Sequence, residues 1–111
     1  MAQGLKIQTN GTTEIVSING LADMQGVVGG YIERVCSVDS TQFEATFDDV
    51  EMWANEEGLI HSLPINMKAT VLRDMVLGVP SYYAIVGDVL LTASKEGADV
   101  PQEIIDILSK D

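Results

Sequence analysis

Apolar and polar residues alternate at the start of the chain. Leu5-Lys6-Ile7-Gln8-Thr9 runs at period two, Asn10-Gly11 follows, and Thr12 to Ile18 is rich in β-branched residues. Asn-Gly between two such runs is a strong hairpin signal, because both residues tolerate positive φ. Strands are expected over 4–9 and 13–18. The period then changes. Leu21, Met24, Val27 and Val28 share one helical face, and Gly29-Gly30 stops it, so a short helix over 21–28 is expected. Tyr31 to Val38 has strand composition and Asp39-Ser40 breaks it. Gln42 to Phe47 alternates around Phe43, Ala45 and Phe47, as a half-buried strand would.

The second half is read the same way. Val50 to Ala54 and Leu59 to Leu63 flank the polar turn Asn55-Glu56-Glu57-Gly58, and Pro64 closes the second run. A hairpin of 50–54 with 59–63 is expected. Asn66 is placed to cap a helix over 67–75, with Met67, Val71, Met75 and Leu72 as its inward face and Gly78 and Pro80 as its stop. Tyr82 to Ala93 is the most hydrophobic strand region, and Gly87-Asp88 marks a bulge or bend in it. Pro101 opens a last helix with Ile104, Ile105 and Leu108 inward. The sum is six or seven short strands with two or three short helices. Strands are not regularly separated by long helices, so the class expected is α+β, with a largely antiparallel, strongly twisted sheet in one domain over 1–111.

Composition sharpens this picture. At 111 residues and 46% hydrophobic content, the chain can bury a modest core and is not disordered by composition. Its 17 acidic against 6 basic residues give a net charge of −11, which argues against direct contact with nucleic acid or an anionic membrane. No apolar stretch approaches the length that spans a bilayer, and the first residues show no signal-peptide pattern. Cys36 is the only cysteine, so no internal disulfide forms. These features set the expectation of a cytoplasmic location.

Few residues invite catalysis. His61 is the only histidine and is expected on an exposed strand face; Cys36, among Val35 and Val38, is expected to be a buried, inert thiol. One Cys and one His do not make a usual zinc site, and no calcium-loop spacing occurs, so neither metal nor cofactor is expected. Gly26, Gly29 and Gly30 follow a helix instead of preceding one, the reverse of a phosphate-binding loop. A turn needs neither two acids before its glycine nor the nearby Asn66. Tyr31, Glu33, Asn55, Glu56, Asn66 and Thr70 are therefore the candidate ligand-binding group, since mixed amide, hydroxyl and aromatic groups suit a small polar ligand. Seven acids lie between Arg34 and Lys68 without a Lys or Arg. Among them Asp48, Asp49, Glu51 and Glu57 form a candidate acidic face for a basic partner.

Four segments taken in order carry a likeness: Gly29-Gly30-Tyr31-Ile32-Glu33, Asn55-Glu56-Glu57-Gly58, Asn66 with Ala69-Thr70, and Ile85-Val86-Gly87-Asp88. From about Val28 to Leu91 the set resembles a small domain-of-unknown-function family of bacteriophages and mobile elements, sometimes fused to larger antirestriction-type proteins. The acidic stretch Thr41 to Glu51 departs from that pattern. The resemblance implies a phage or phage-like origin, an accessory role and a bacterial host cytoplasm; it assigns no chemistry to any residue. Together with the poor catalytic inventory, it sets the expectation of a non-enzymatic protein. Such a protein would bind or sequester a host protein or a small polar ligand, a signalling nucleotide being one case. The alternative is an acidic DNA mimic that blocks a nucleic-acid-binding host enzyme. Five Met, Trp53 and many short strands add the expectation of a homo-oligomer.

Overall fold

Asn10 and Gly11 turn the chain as their types dictate, Gly11 at φ 89°. The strands they join, β1 (Ala2–Ile7) and β2 (Thr13–Ile18), pair antiparallel from Ala2–Ile18 to Ile7–Thr13. The structure, a computed structural model, describes residues 2–43, 45–78 and 83–110. Along these residues follow α1 (Leu21–Val28), β3 (Ile32–Val38), β4 (Val50–Asn55), α2 (Met67–Leu77), β5 (Val89–Ala93) and α3 (Gln102–Leu108). The five strands form one sheet in the order β2-β1-β5-β4-β3, every neighbouring pair antiparallel. The fold is α+β, as the pattern indicated.

Period two sorts each strand into two faces. Leu5, Ile7, Met52, Val89 and Leu91 join Ala69 and Leu72 of α2 and Ile104, Ile105 and Leu108 of α3 in the main core. The other face, with Leu90 fully buried, takes α1, which packs on β5 and β4. Trp53 lies on that side and its indole N–H donates to Thr92 Oγ1 at 2.8 Å. A single helix covers less of a five-stranded sheet than two do, so the two layers differ in thickness.

Four local expectations are corrected. Gln42–Phe47 is not a strand among its described residues. Asp39 accepts from Thr41 N at 3.0 Å and caps a 3-10 turn over Ser40–Gln42. Phe43 and Phe47 then meet each other, centroids 5.5 Å apart, instead of lining a sheet. The 50–54/59–63 hairpin does not form. β4 pairs with β3 and β5, while residues 56–62 spend their backbone on turns such as His61 N to Glu57 O and Leu63 N to Gly58 O. His61 accordingly sits exposed on a turn, not on a strand. Of the expected 82–93 strand, Tyr82 lies outside the described residues, Ile65 and Val86 make an isolated bridge, and Gly87 at φ 79° separates these from β5. The strand count is five among the described residues, not six or seven.

The fourth correction concerns α2. Its start and cap are as expected, but its inward face is Ala69, Leu72 and Arg73. Met67, Val71 and Met75, expected inside, are 61%, 57% and 38% exposed. Asn66 sets this phase. Its amide is held inside the fold, so the first turn cannot rotate, and small Ala69 lets the helix approach the sheet.

Candidate functional site

The segments that stood out in the sequence lock the fold. Gly29 ends α1 in the left-handed region, φ 82°, with its N–H on Gln25 O. A Cβ on Gly30 would lie 2.9 Å from Asn55 Nδ2, so only glycine lets that amide in. Asn55, buried, donates to Val28 O at 3.2 Å and accepts from Glu57 N at 2.8 Å, making an Asx turn. Glu56 N donates to Tyr31 O at 2.8 Å. These bonds tie the end of β4 to the end of α1.

The second lock is Asn66, which is 0% exposed. Its Nδ2 donates to Ile7 O and Gly87 O, both at 2.9 Å, and its Oδ1 accepts from Ala69 N at 3.1 Å. The Thr70 hydroxyl donates to Asn66 O at 2.8 Å and accepts from Ile85 N at 2.9 Å. Asp88 accepts from Thr9 N at 3.1 Å and faces Lys6 at 3.6 Å. One amide thus joins β1, the start of α2 and the approach to β5.

Between these locks lies a cleft of about 390 Å³. Its walls include Val35 of β3, Ala54 at the end of β4, Leu59 of the turn, and Ala84 to Val86. Glu33 and Glu56 stand at it, both exposed, and Arg73 reaches it from α2. The Arg73 side chain is only 10% exposed. Its Nε and Nη2 donate to Asp74 Oδ1 at 3.1 and 3.0 Å, and Nη2 also reaches Tyr83 O at 2.6 Å. Nη1 takes part in none of these bonds. No buried side-chain N or O among the described residues lacks a partner, so Nη1 keeps some contact with solvent. A guanidinium carries five N–H donors and no acceptor. The cleft thus combines apolar walls, two guanidinium groups (Arg73 and Arg34, the latter paired with Glu51) and two carboxylates, which suits binding of a polar molecule by complementary ends.

The six candidate binding residues divide. Glu33, Asn55 and Glu56 share this cleft, Asn55 through a side chain already committed to the fold. Tyr31 is exposed on a neighbouring hollow of about 260 Å³ with Gln25, Glu57 and His61. Asn66 is buried and Thr70 half-buried; neither lines the cleft, and both bond to Ile85, which does. Arg73 escaped sequence reasoning, because only the rotational phase of α2 reveals which way it points.

The candidate acidic residues are spread along and beyond β4. Asp48 and Asp49 are exposed before β4, and Glu57 follows it. Six strand residues put those ends about 17–20 Å apart. Glu51 between them pairs with Arg34, Nε to Oε1 3.1 Å, and accepts from the Ser37 hydroxyl. Glu57 lies 3.7 Å from His61. Cys36 is buried, and burial pushes its thiol above the ordinary value; Arg34 and Arg73 pull it down and Glu51 adds to the rise. A thiol so held is a poor nucleophile. Among the described residues, no three of His, Cys, Asp and Glu converge on a metal-sized space, and no helix is long and apolar enough to cross a membrane.

Sheet, helices and cleft define a small α+β domain with a cleft of mixed polar and apolar lining beside its β3 edge. Comparison with family models gives its kinship: residues 1–111 match the model described as "Domain of unknown function (DUF3846)", and the chain belongs to that family. Neither curated proteins nor solved structures yield a match.

Proposed function

We propose that this chain is a non-enzymatic binding protein of phage or mobile-element origin that holds a small polar host ligand in the cleft over Arg73. The observation that carries the reading is the Arg73 guanidinium. A buried cation is costly unless paired and hydrogen-bonded. Arg73 receives one carboxylate oxygen and one carbonyl, and it lines the cleft with Nη1 outside these bonds. Glu33 and Glu56 add acceptors for ligand N–H groups. The ligand class that matches has a carboxylate or phosphate at one end and amino or amide donors at the other, with little net charge. Amino acids and short peptides meet that description; a nucleotide shares its phosphate and its base-edge donors but carries more negative charge. A cleft of about 390 Å³ is within the range of small-molecule sites. Sequestration in a bacterial cytoplasm, away from a host's own receptor, would be the accessory role.

The acidic DNA-mimic reading has less support. Its acids lie at two ends of β4, and the one between them is neutralised by Arg34. A test of the cleft is amide NMR of labelled protein against panels of free amino acids and nucleotides. Shifts clustered on Glu33, Glu56, Arg73 and Ala84, lost in Arg73→Lys with the fold retained, support the reading. Turnover of any panel member refutes the non-enzymatic part. Shifts confined to other surfaces, or none at all with these ligands, refute the cleft.

A further inference from the structure

On the far side of α2 the chain exposes what its sequence hid. Met67, Val71 and Met75 stand at i, i+4 and i+8, one stripe along the helix, and face outward. Beside them Leu72, Leu108 and Phe43 line a groove of about 390 Å³ between α2 and α3. Among the described residues no acid lines it, and the one charged group that does, Lys68, is tied to Leu108 O at 2.6 Å. We infer that this groove is the contact face of a two-fold dimer of this chain, packed α2 against α2 in antiparallel fashion. Three observations select a second copy as the occupant. The stripe reads Met-x-x-x-Val-x-x-x-Met, the same in both directions. A two-fold axis at Val71 therefore sets Met67 against the partner's Met75 and Val71 against its own image, the self-complementarity an isologous interface requires. Each copy carries −11, and two such chains repel least where they meet through a groove that no described carboxylate lines. The stripe exposes about 300 Å² of apolar side chain per copy, the scale of a functional patch on a monomer. A standard interface takes about 800 Å² from each side. Phe43 and Ile107, which line the same groove, must then be covered as well, and dissociation falls in about the micromolar range.

Sedimentation velocity across a wide concentration series, on the full chain, tests this. Wild type is expected to pass from monomer to dimer. Val71→Glu and Val71→Lys, at an exposed helical position, should each stay monomeric with an unchanged circular dichroism spectrum. Mixed in equal amounts they should recover a dimer, because opposite charges then meet at the axis. Ile60→Glu, 77% exposed and outside the groove, should dimerise like wild type. Wild type that remains monomeric throughout overturns the inference, as does a dimer that survives Val71→Glu or a mixture that recovers nothing.

Discussion

Asn66→Ala is the sharpest perturbation of the fold. The side chain is 0% exposed and satisfies three main-chain groups, Ile7 O, Gly87 O and Ala69 N. Truncation orphans all three, and each buried orphan costs about 1–3 kcal/mol. The space left is close to that of one water with three polar partners, which is a good water site. Hydration therefore limits the loss to about 3–4 kcal/mol, still a large part of the 5–15 kcal/mol typical of a domain. Asn66→Leu fills the same space with carbon and admits no water. It should cost more than Asn66→Ala, although it buries more apolar surface. Asn66→Asp keeps the cap to Ala69 N but turns an oxygen on two carbonyls, so its carboxyl pKa rises on folding. The sign follows: such a variant is least impaired at low pH and loses stability as pH rises through the folded value. Urea unfolding followed by Trp53 fluorescence and circular dichroism reads these differences, at one low protein concentration so that association does not enter. Alanine and leucine variants both within about 1 kcal/mol of wild type would show that the amide is not a lock.

Three further outcomes are expected. Gly30→Ala should cost about 1–3 kcal/mol in the same urea assay and raise the exchange rate of the Glu57 amide, because its Cβ would displace the Asn55 amide now 2.9 Å away. Cys36 should react with a disulfide reagent only as fast as the protein opens. Since burial raises its pKa, its contribution is complete below the ordinary value of 9.0 and is lost as pH climbs through and beyond it; Cys36→Ser should flatten that alkaline loss. The double variant Asp48→Asn, Asp49→Asn should change stability by less than about 0.5 kcal/mol, and a matching loss of affinity for a basic host protein would revive the acidic-face reading.

The elements legible in the sequence are those set by local chemistry. Asn10-Gly11 fixes a hairpin, Gly29 and Gly78 stop helices in the left-handed region, and Asn66 starts one. Those decided at a distance were not legible. Phe43, Ala45 and Phe47 alternate like a strand, but an Asp39 cap and a ring contact outweigh the pattern. Leu59 to Leu63 look like a partner for β4, which instead takes both its neighbours from elsewhere in the chain. The site divides likewise. Glu33, Asn55 and Glu56 were picked out by residue type, and they meet because β3 pairs antiparallel with β4, which brings Glu33 opposite Ala54, next to Asn55. Arg73 was invisible, since nothing local distinguishes a cleft-facing arginine from a solvated one on a helix whose phase is unknown.

That phase is also what separates structural from functional residues here. Turning α2 to bury Met67 and Val71 would gain about 1.5–3 kcal/mol for each. The same turn would pull Asn66 off two carbonyls, expose Ala69 and Leu72, and swing Arg73 away from Tyr83 O. The anchored arrangement costs apolar exposure and keeps a cation at the cleft. Residues that looked functional by type, Asn55, Asn66 and Thr70, have their polar atoms committed to the main chain. Those with capacity left over are Glu33, Glu56 and one nitrogen of Arg73 on one side of α2, and the methionine–valine stripe on the other. Under the two proposals above, a single helix turns one face to a ligand and the other to a second copy, and the phase fixed by Asn66 sets both.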